Sequence, residues 1–314
     1  MMISIVTPTY NEIENIEILC SKIKDEFNKL NCEYEHIIID NNSSDGTVEK
    51  IKQLASKDKK LKIIINSKNY GHIRSPFYGL LQTSGDASIL MASDFQDPVE
   101  LIPKYIEEWK KGNKIVLGEK VSSDENKIKF TIRKLFYNFL NKISETELTQ
   151  NTTGSGIFDK SIIKKLKDLN DPYPYFRGLI SEISSDIKTI KFNQPPRKYG
   201  YTKNNISTLY DMGILGVVKH SRKPLRFMIL LGFVLGIISF FVGIFYFVYK
   251  LFYWESFNLG IAPLIIGISI FSSIQITLLG LLGEYIGIIL LHQRNIPLVQ
   301  EKERINFEEI KKGL

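Results

Sequence analysis

Along the first two thirds of the chain, short β-branched runs alternate with longer segments whose apolar residues recur at helical spacing. Ile3 to Thr7, Glu35 to Ile39, Leu61 to Ile65, Ala87 to Leu90 and Ile115 to Leu117 read as strands. Helices are expected up to about Leu30, from Val48 to about Ser56, up to about Gln82, and from Val99 to Trp109, with Pro98 suited to the first turn of the last. Strands that alternate with helices predict an α/β fold with a mostly parallel sheet covered on both faces. Further on, Ile128, Ile132, Leu135, Phe136, Phe139 and Ile143 share one face of a predicted amphipathic helix.

The last third has a different pattern. Ile206, Leu209, Tyr210, Ile214 and Val217 recur at helical spacing, flanked by Lys203, Lys219, His220, Arg222 and Lys223. This predicts a helix lying in a membrane interface. Phe227 to Tyr249 is apolar and uncharged, and Ile261 to Leu291 is a second such stretch, each long enough to cross a bilayer. Basic residues flank the outer ends of this hairpin, against Lys250 alone in the connection. The positive-inside rule then puts the first domain and both chain ends in the cytoplasm, under the inner membrane. The expected organisation is a cytosolic domain over residues 1–202, an interfacial helix over 203–224, a transmembrane hairpin over 225–293 and a cytosolic tail over 294–314. The chain passes straight into a strand, with no signal-peptide pattern.

Charge and cysteine content narrow the chemistry. The net charge of +7 raises nucleic acid as a partner, but many basic residues cluster beside apolar segments, which argues against it. Cys20 and Cys32 form no CxxC pair and read as reduced thiols. No GxGxxG follows the first strand and no GxxxxGK[ST] is present, which disfavours dinucleotide and P-loop sites.

Three predicted strands end in Tyr10-Asn11-Glu12, in Asp40, and in Met91-Ala92-Ser93-Asp94-Phe95-Gln96-Asp97-Pro98. In a parallel sheet these endings lie along one edge, where open α/β sheets bind ligands. Asp94 and Gln96 offer oxygen ligands of the kind that suit Mg²⁺ or Mn²⁺ on a diphosphate. Taken alone, the stretch also fits a strand-to-helix turn capped by acidic residues. An acidic crevice without a glycine cradle needs a cation to bind phosphates.

Ile5 to Glu12, Asp40 to Asp45, Lys68-Asn69-Tyr70-Gly71 and Ser93 to Pro98, in this order, resemble the family 2 glycosyltransferases of GT-A fold. The branch they most resemble is the polyprenyl-phosphate sugar transferases. The resemblance spans the chain and implies an inverting transfer from a nucleotide-sugar donor, a UDP-sugar by preference, to a membrane polyprenyl phosphate such as undecaprenyl phosphate. It implies that Pro8, Tyr10, Glu12, Asp40, Lys68, Gly71 and Asp94 serve the donor, and that Asp94 and Gln96 hold the metal. Asp94, Asp97 and Arg133 would form the catalytic set, with Asp97 orienting donor or acceptor. Lys120, Arg133, Arg177, Arg197 and Lys203 would contact the acceptor phosphate, although Arg177, Arg197 and Lys203 also fit a basic patch on the lipid surface. Members of this kind assemble as tetramers, so a homo-oligomer is expected.

Two positions depart from the family pattern. Ala92 stands where the family often has a first aspartate. Asn151 to Asp159 occupies the place of a family loop, with Gly156 at the position of its arginine, while Phe176 to Leu179 matches another family loop. A lipid-linked oligosaccharide acceptor and a catalytically inactive nucleotide-sugar scaffold remain alternative readings.

Overall fold

The computed structural model describes residues 1–122, 152–195, 215–216, 218–219, 221, 223–253, 261–294 and 296–307. Eight strands form one sheet: β1 Met2–Thr9, β2 Glu33–Asp40, β3 Leu61–Asn66, β4 Ala87–Leu90, β5 Ile115–Ser122, β6 Thr152–Asp159, β7 Lys188–Asn193 and β8 Glu301–Ile305. Their order is β7-β5-β6-β4-β1-β2-β3-β8. β1 pairs in parallel with β2 and β4, β2 with β3, and β5 with β7. β6 and β8 run against their neighbours. The sheet is therefore mostly parallel, as the alternation predicts.

Among the described residues, six helices pack on it: α1 Ile13–Leu30, α2 Thr47–Lys57, α3 Gly71–Leu81, α4 Leu101–Lys110, α5 Lys160–Leu169 and α6 Phe176–Ile183. Alternation along each strand divides the core. Ile3 and Ile5 of β1 pack with Leu19, Ile23 and Phe27 of α1 and Ile102 and Tyr105 of α4. Val6 and Ile39 pack on the opposite face with Phe77 and Leu80 of α3 and Ile162 and Leu166 of α5.

Four expectations change. Thr152–Asp159 is a strand inserted between β4 and β5, not a loop. Its Thr-Thr-Gly-Ser-Gly start hides strand character, because glycine and serine carry little β-propensity. Gly156 is required by packing: a Cβ there would fall onto the Val116 carbonyl oxygen and 3.0 Å from Leu117 Cα. An arginine at this position is therefore sterically excluded. Phe176 to Leu179, matched to a loop, is the first turn of α6. Pro98 lies ahead of α4, in a turn closed by Leu101 N–H to the Pro98 carbonyl at 3.0 Å. Finally, the segment read as a tail supplies β8, which covers the β3 edge and removes an exposed row of backbone groups.

Two helices, α7 Lys223–Phe252 and α8 Ile261–Gln293, are long and apolar enough to cross a membrane. Their apolar side chains are largely uncovered, Phe233 being 67% and Ile276 69% exposed. At their foot, the Lys219 ammonium donates to both oxygens of Asp171 at 2.6 Å and to the Tyr173 carbonyl. Burial pushes the Lys219 pKa down, against the pull of Asp171. His292 of α8 stands 3.6 Å from the same carboxylate. Ile288 of α8 packs with Tyr175, Leu215 and Ile73. Ile73 lies in the first turn of α3, so the foot of the hairpin meets the edge where β3 ends.

Replacing Gly156 with alanine overpacks the β5–β6 pair. Overpacking costs about 1–3 kcal/mol, so thermal unfolding should show a midpoint several degrees below wild type. An unchanged midpoint would contradict the close packing described here.

Candidate active site

β1 and β2 end side by side, with Thr9 opposite Asp40. Asp40 is fully buried, and its carboxylate accepts the Ser43 N–H at 2.8 Å and the Ser43 hydroxyl at 2.6 Å. Burial pushes its pKa up, the Ser43 bonds oppose this, and the nearby Asp45 charge adds to the rise.

The turn after β1 is stitched to the turn after β2. Asn11 N–H donates to the Ser43 hydroxyl at 2.8 Å, and Ser44 N–H to the Asn11 side-chain oxygen at 2.9 Å. Glu12 N–H donates to the Thr47 hydroxyl, and Ile13 N–H to Asp45. Asn11 (φ 56°) and Asn42 (φ 62°) adopt left-handed backbone, which asparagine tolerates better than most residues. These bonds serve the backbone donors of the chain entering α1, which lack intrahelical partners. Burial opposes ionisation of Asp45, but bonds from Thr47 and Ile13 outweigh it and hold its carboxyl below the usual range.

β3 ends in a second stitched turn. The buried Asn41 side-chain oxygen accepts from Asn66 Nδ2 at 2.9 Å and from Tyr70 N–H at 3.2 Å. Its own Nδ2 donates to the Gly71 carbonyl at 3.1 Å. Gly71 has φ 78°, a conformation that favours glycine. Lys68 is exposed, with its ammonium 5.2 Å from the Tyr70 ring centroid.

β4 ends against β1. Met91 N–H donates to the Val6 carbonyl at 3.0 Å, and the Ser93 hydroxyl to the Pro8 carbonyl at 3.1 Å. Asp94 accepts the Gln96 N–H at 3.1 Å, making a tight turn over Phe95. Phe95 has φ 59°, a strained region for a bulky residue. Its ring is buried in the α1–α4 core, which offsets the strain. Asp94 and Asp97 are nearly buried and Gln96 is half-buried. Tyr105 is buried beneath this turn, and burial followed by the Asp97 charge pushes its phenol pKa up.

One edge thus brings together Pro8, Tyr10, Glu12, Asp40, Lys68, Gly71, Asp94, Gln96 and Asp97 at the ends of β1 to β4. Glu12 also accepts from the Asn15 amide at 2.6 Å. Lys120 lies in β5, opposite Phe192 of β7, with β6 between it and β4. Arg177 is at the second position of α6. Arg133, Arg197 and Lys203 lie outside the described residues, as does the helix expected around Arg133. Sequence reasoning missed Ser43, Asn41, Asn66 and Ser93. The available signal was a polar residue at or just past the end of a strand, as in Asn66 closing an otherwise apolar Ile-Ile-Ile run.

Among the described residues, no three His, Cys, Asp or Glu side chains form a metal-binding group. The donors present, the Asp94 carboxylate and the Gln96 carboxamide, are hard oxygen ligands. They fit a metal whose remaining ligands come from a diphosphate and water, since Mg²⁺ usually keeps several waters.

The chain has relatives among known proteins. The profile of glycosyl transferase family 2 matches residues 4–167, just over half of the 314. Bactoprenol glucosyl transferase of Shigella phage SfX is 29% identical over 306 residues, 97% of this chain and 100% of the relative. The prophage bactoprenol glucosyl transferase homolog of Escherichia coli K12 is 29% identical, over 91% of this chain and 94% of the relative. Among solved structures, glucosyl-3-phosphoglycerate synthase from Mycobacterium tuberculosis, in complex with Mn²⁺, uridine-diphosphate-glucose and phosphoglyceric acid, superposes with a TM-score of 0.50 at 18% identity, over 69% of this chain and 77% of that one. The chain belongs to glycosyl transferase family 2. It is a glycosyltransferase with a GT-A-like fold.

Through its side chain Asn41 joins the end of β2 to the end of β3 and to the turn that follows it. Asn41→Ala removes three bonds worth about 1 kcal/mol each. Hydrogen exchange should accelerate in residues 66–71 before the rest of the sheet loosens. Unchanged protection there would contradict the role given to Asn41.

Proposed function

We propose that the protein transfers a sugar, from a UDP-sugar in the first instance, to a polyprenyl phosphate in the membrane. The observation that carries this reading is the site of the hairpin's foot. The apolar helices join the domain at Asp171, Tyr175 and Ile73, beside the turn that begins α3 at the donor edge. A donor site next to two uncovered apolar helices calls for an acceptor held in the bilayer. The near-full-length match to bactoprenol glucosyl transferases supports the same acceptor.

Both ends of the hairpin attach to one domain. Lys219 binds Asp171 just before α7, and β8 pairs with β3 just after α8. An even number of crossings satisfies this. With the positive-inside pattern, it supports a multi-pass protein of the inner membrane, with the catalytic domain, residues 1–202 completed by β8, in the cytoplasm. The uncovered helix faces suit lipid or further copies of the chain.

On this reading Asp40 and the turns around Asn11 and Gly71 receive the nucleoside. Asp94 and Gln96 hold Mg²⁺ or Mn²⁺, which when bound neutralises the donor diphosphate and the departing nucleotide. Ala92 leaves one carboxylate fewer than the family pattern, so nucleotide and metal bind together. The attacking atom is a phosphate oxygen, already anionic near neutral pH because the second pKa of a phosphate monoester is roughly 6. The reaction therefore needs no strong general base. Lys120, Arg133, Arg177, Arg197 and Lys203 are the cations available to hold that phosphate in line, and direct displacement inverts the anomeric centre. The buried Asp97, at the same strand end, orients donor or acceptor.

The test uses the full chain in lipid with undecaprenyl phosphate, Mg²⁺ or Mn²⁺, and radiolabelled UDP- and GDP-sugars. Label should enter an acid-labile lipid, and Asp94→Asn should reduce it by about a hundredfold or more. Transfer to an oligosaccharide lipid instead would overturn the acceptor. Undiminished transfer by Asp94→Asn would overturn the metal site.

A further inference from the structure

The strongest unassigned feature is the strap that follows α8. It runs from Ile296 along the outside of α3 to β8, and its bonds converge on the turn that begins α3. Arg74 Nε donates to the Leu298 carbonyl, and its NH2 group to the Pro297 carbonyl, both at 2.8 Å. The same guanidinium lies 5.0 Å from the Tyr70 ring centroid, within cation–π range. Ser67 N–H donates to the Gln300 carbonyl at 2.9 Å, and the Ser67 and Tyr70 hydroxyls are 3.1 Å apart. Val299 is buried, and Leu298 packs against the α3 core.

Beyond this point the strap is fastened independently. Tyr78 donates to Glu301 at 2.8 Å, and Arg304 binds both Glu301 and Gln82. Lys52 pairs with Glu303. The Asn306 amide donates to the carbonyls of Ala55 and Leu61, both at 2.8 Å. The strap therefore stays on the domain without Arg74, whose bonds act locally on residues 67–74.

That turn has two supports. Asn41, next to Asp40, holds it from the inside, while Arg74 and the strap hold it from the outside. A turn held only at Asn41 would have more freedom on the side of Lys68 and Tyr70. The strap begins at Ile296, three residues after Gln293, the last residue of α8.

We infer that Arg74 is a positioning residue for the donor nucleotide, and that the strap over residues 296–300 forms the outer wall of the donor turn. The inference rests on the reading that this edge receives a nucleotide diphosphate. Arg74 need not touch the nucleotide; it presets residues 67–71 to receive it. The ordering that wild type has before binding is then charged to binding in its absence.

The test is calorimetric titration of the full-length protein with UDP and Mn²⁺, comparing wild type, Arg74→Ala, Arg74→Lys and Asp40→Asn. Loss of both charge-assisted bonds should raise the UDP Kd by about tenfold in Arg74→Ala, with an unchanged number of sites, and by less in Arg74→Lys. A purely structural role would instead lower the number of sites and leave Kd alone, which overturns the inference. Asp40→Asn separates the two levels of the argument. If it weakens UDP binding while Arg74→Ala does not, the donor reading stands and the role of Arg74 is wrong. If wild type binds no UDP, both fall. Hydrogen exchange on wild type gives a second readout that needs no variant. UDP should protect residues 67–74 and 296–300 together, and protection of the first segment alone would also overturn the inference.

Discussion

Parallel pairing of β4, β1, β2 and β3 forces four strand ends onto one edge, where their backbone groups must find partners other than a neighbouring strand. This demand shapes the site. Ser43, Asn41 and Ser93 meet it by tying each strand end to the next, so the turns form one hydrogen-bonded unit. Asp40 is held in its buried position by that network, despite the cost of burying a carboxylate. The same network leaves Phe95 in left-handed backbone, anchored by its buried ring. The chemistry of the edge follows from what those turns hold in place.

The pair of long apolar helices is attached by a second set of constraints. Asp171 and Lys219 form a buried pair, and the exposed His292 of α8 stands beside it, so three distant segments meet there. A buried pair of this kind contributes little net stability, but separating it strands a charge and costs about 3–5 kcal/mol. Its effect is to fix where the hairpin stands on the domain. The strap and β8 make a second attachment on the far side of α3. Two attachments limit how far the edge formed by the ends of β1 to β4 can swing from the helices.

Much of this was legible from periodicity. The Ile-rich runs of β1, β2 and β3 and the helical spacing of α1 and α2 correspond to the described elements within a few residues. The motif around Asp94 was legible because its residue types are chemically unusual at a strand end. β6 was not, since glycine and serine carry little β-propensity and the need for Gly156 exists only once Val116 and Leu117 pack against it. β8 was not either, because Glu-Lys-Glu-Arg reads as a solvated charge run until Lys52, Tyr78 and Gln82 supply partners from the far end of the chain. Asn41 and Asn66 belong to the same class: their role exists only once β2 and β3 lie side by side.

The central physical claim is that this edge holds a diphosphate through a metal shared between protein and nucleotide, since Asp94 and Gln96 alone are too few ligands to retain the ion. Electron paramagnetic resonance of Mn²⁺ with the full-length protein tests it most directly. The account predicts that the spectrum of free aqueous Mn²⁺ persists when protein is added alone, and is lost when protein and UDP are present together, beyond the loss caused by UDP itself. Tight Mn²⁺ uptake by the protein without UDP would contradict it, as would UDP binding that is indifferent to the metal.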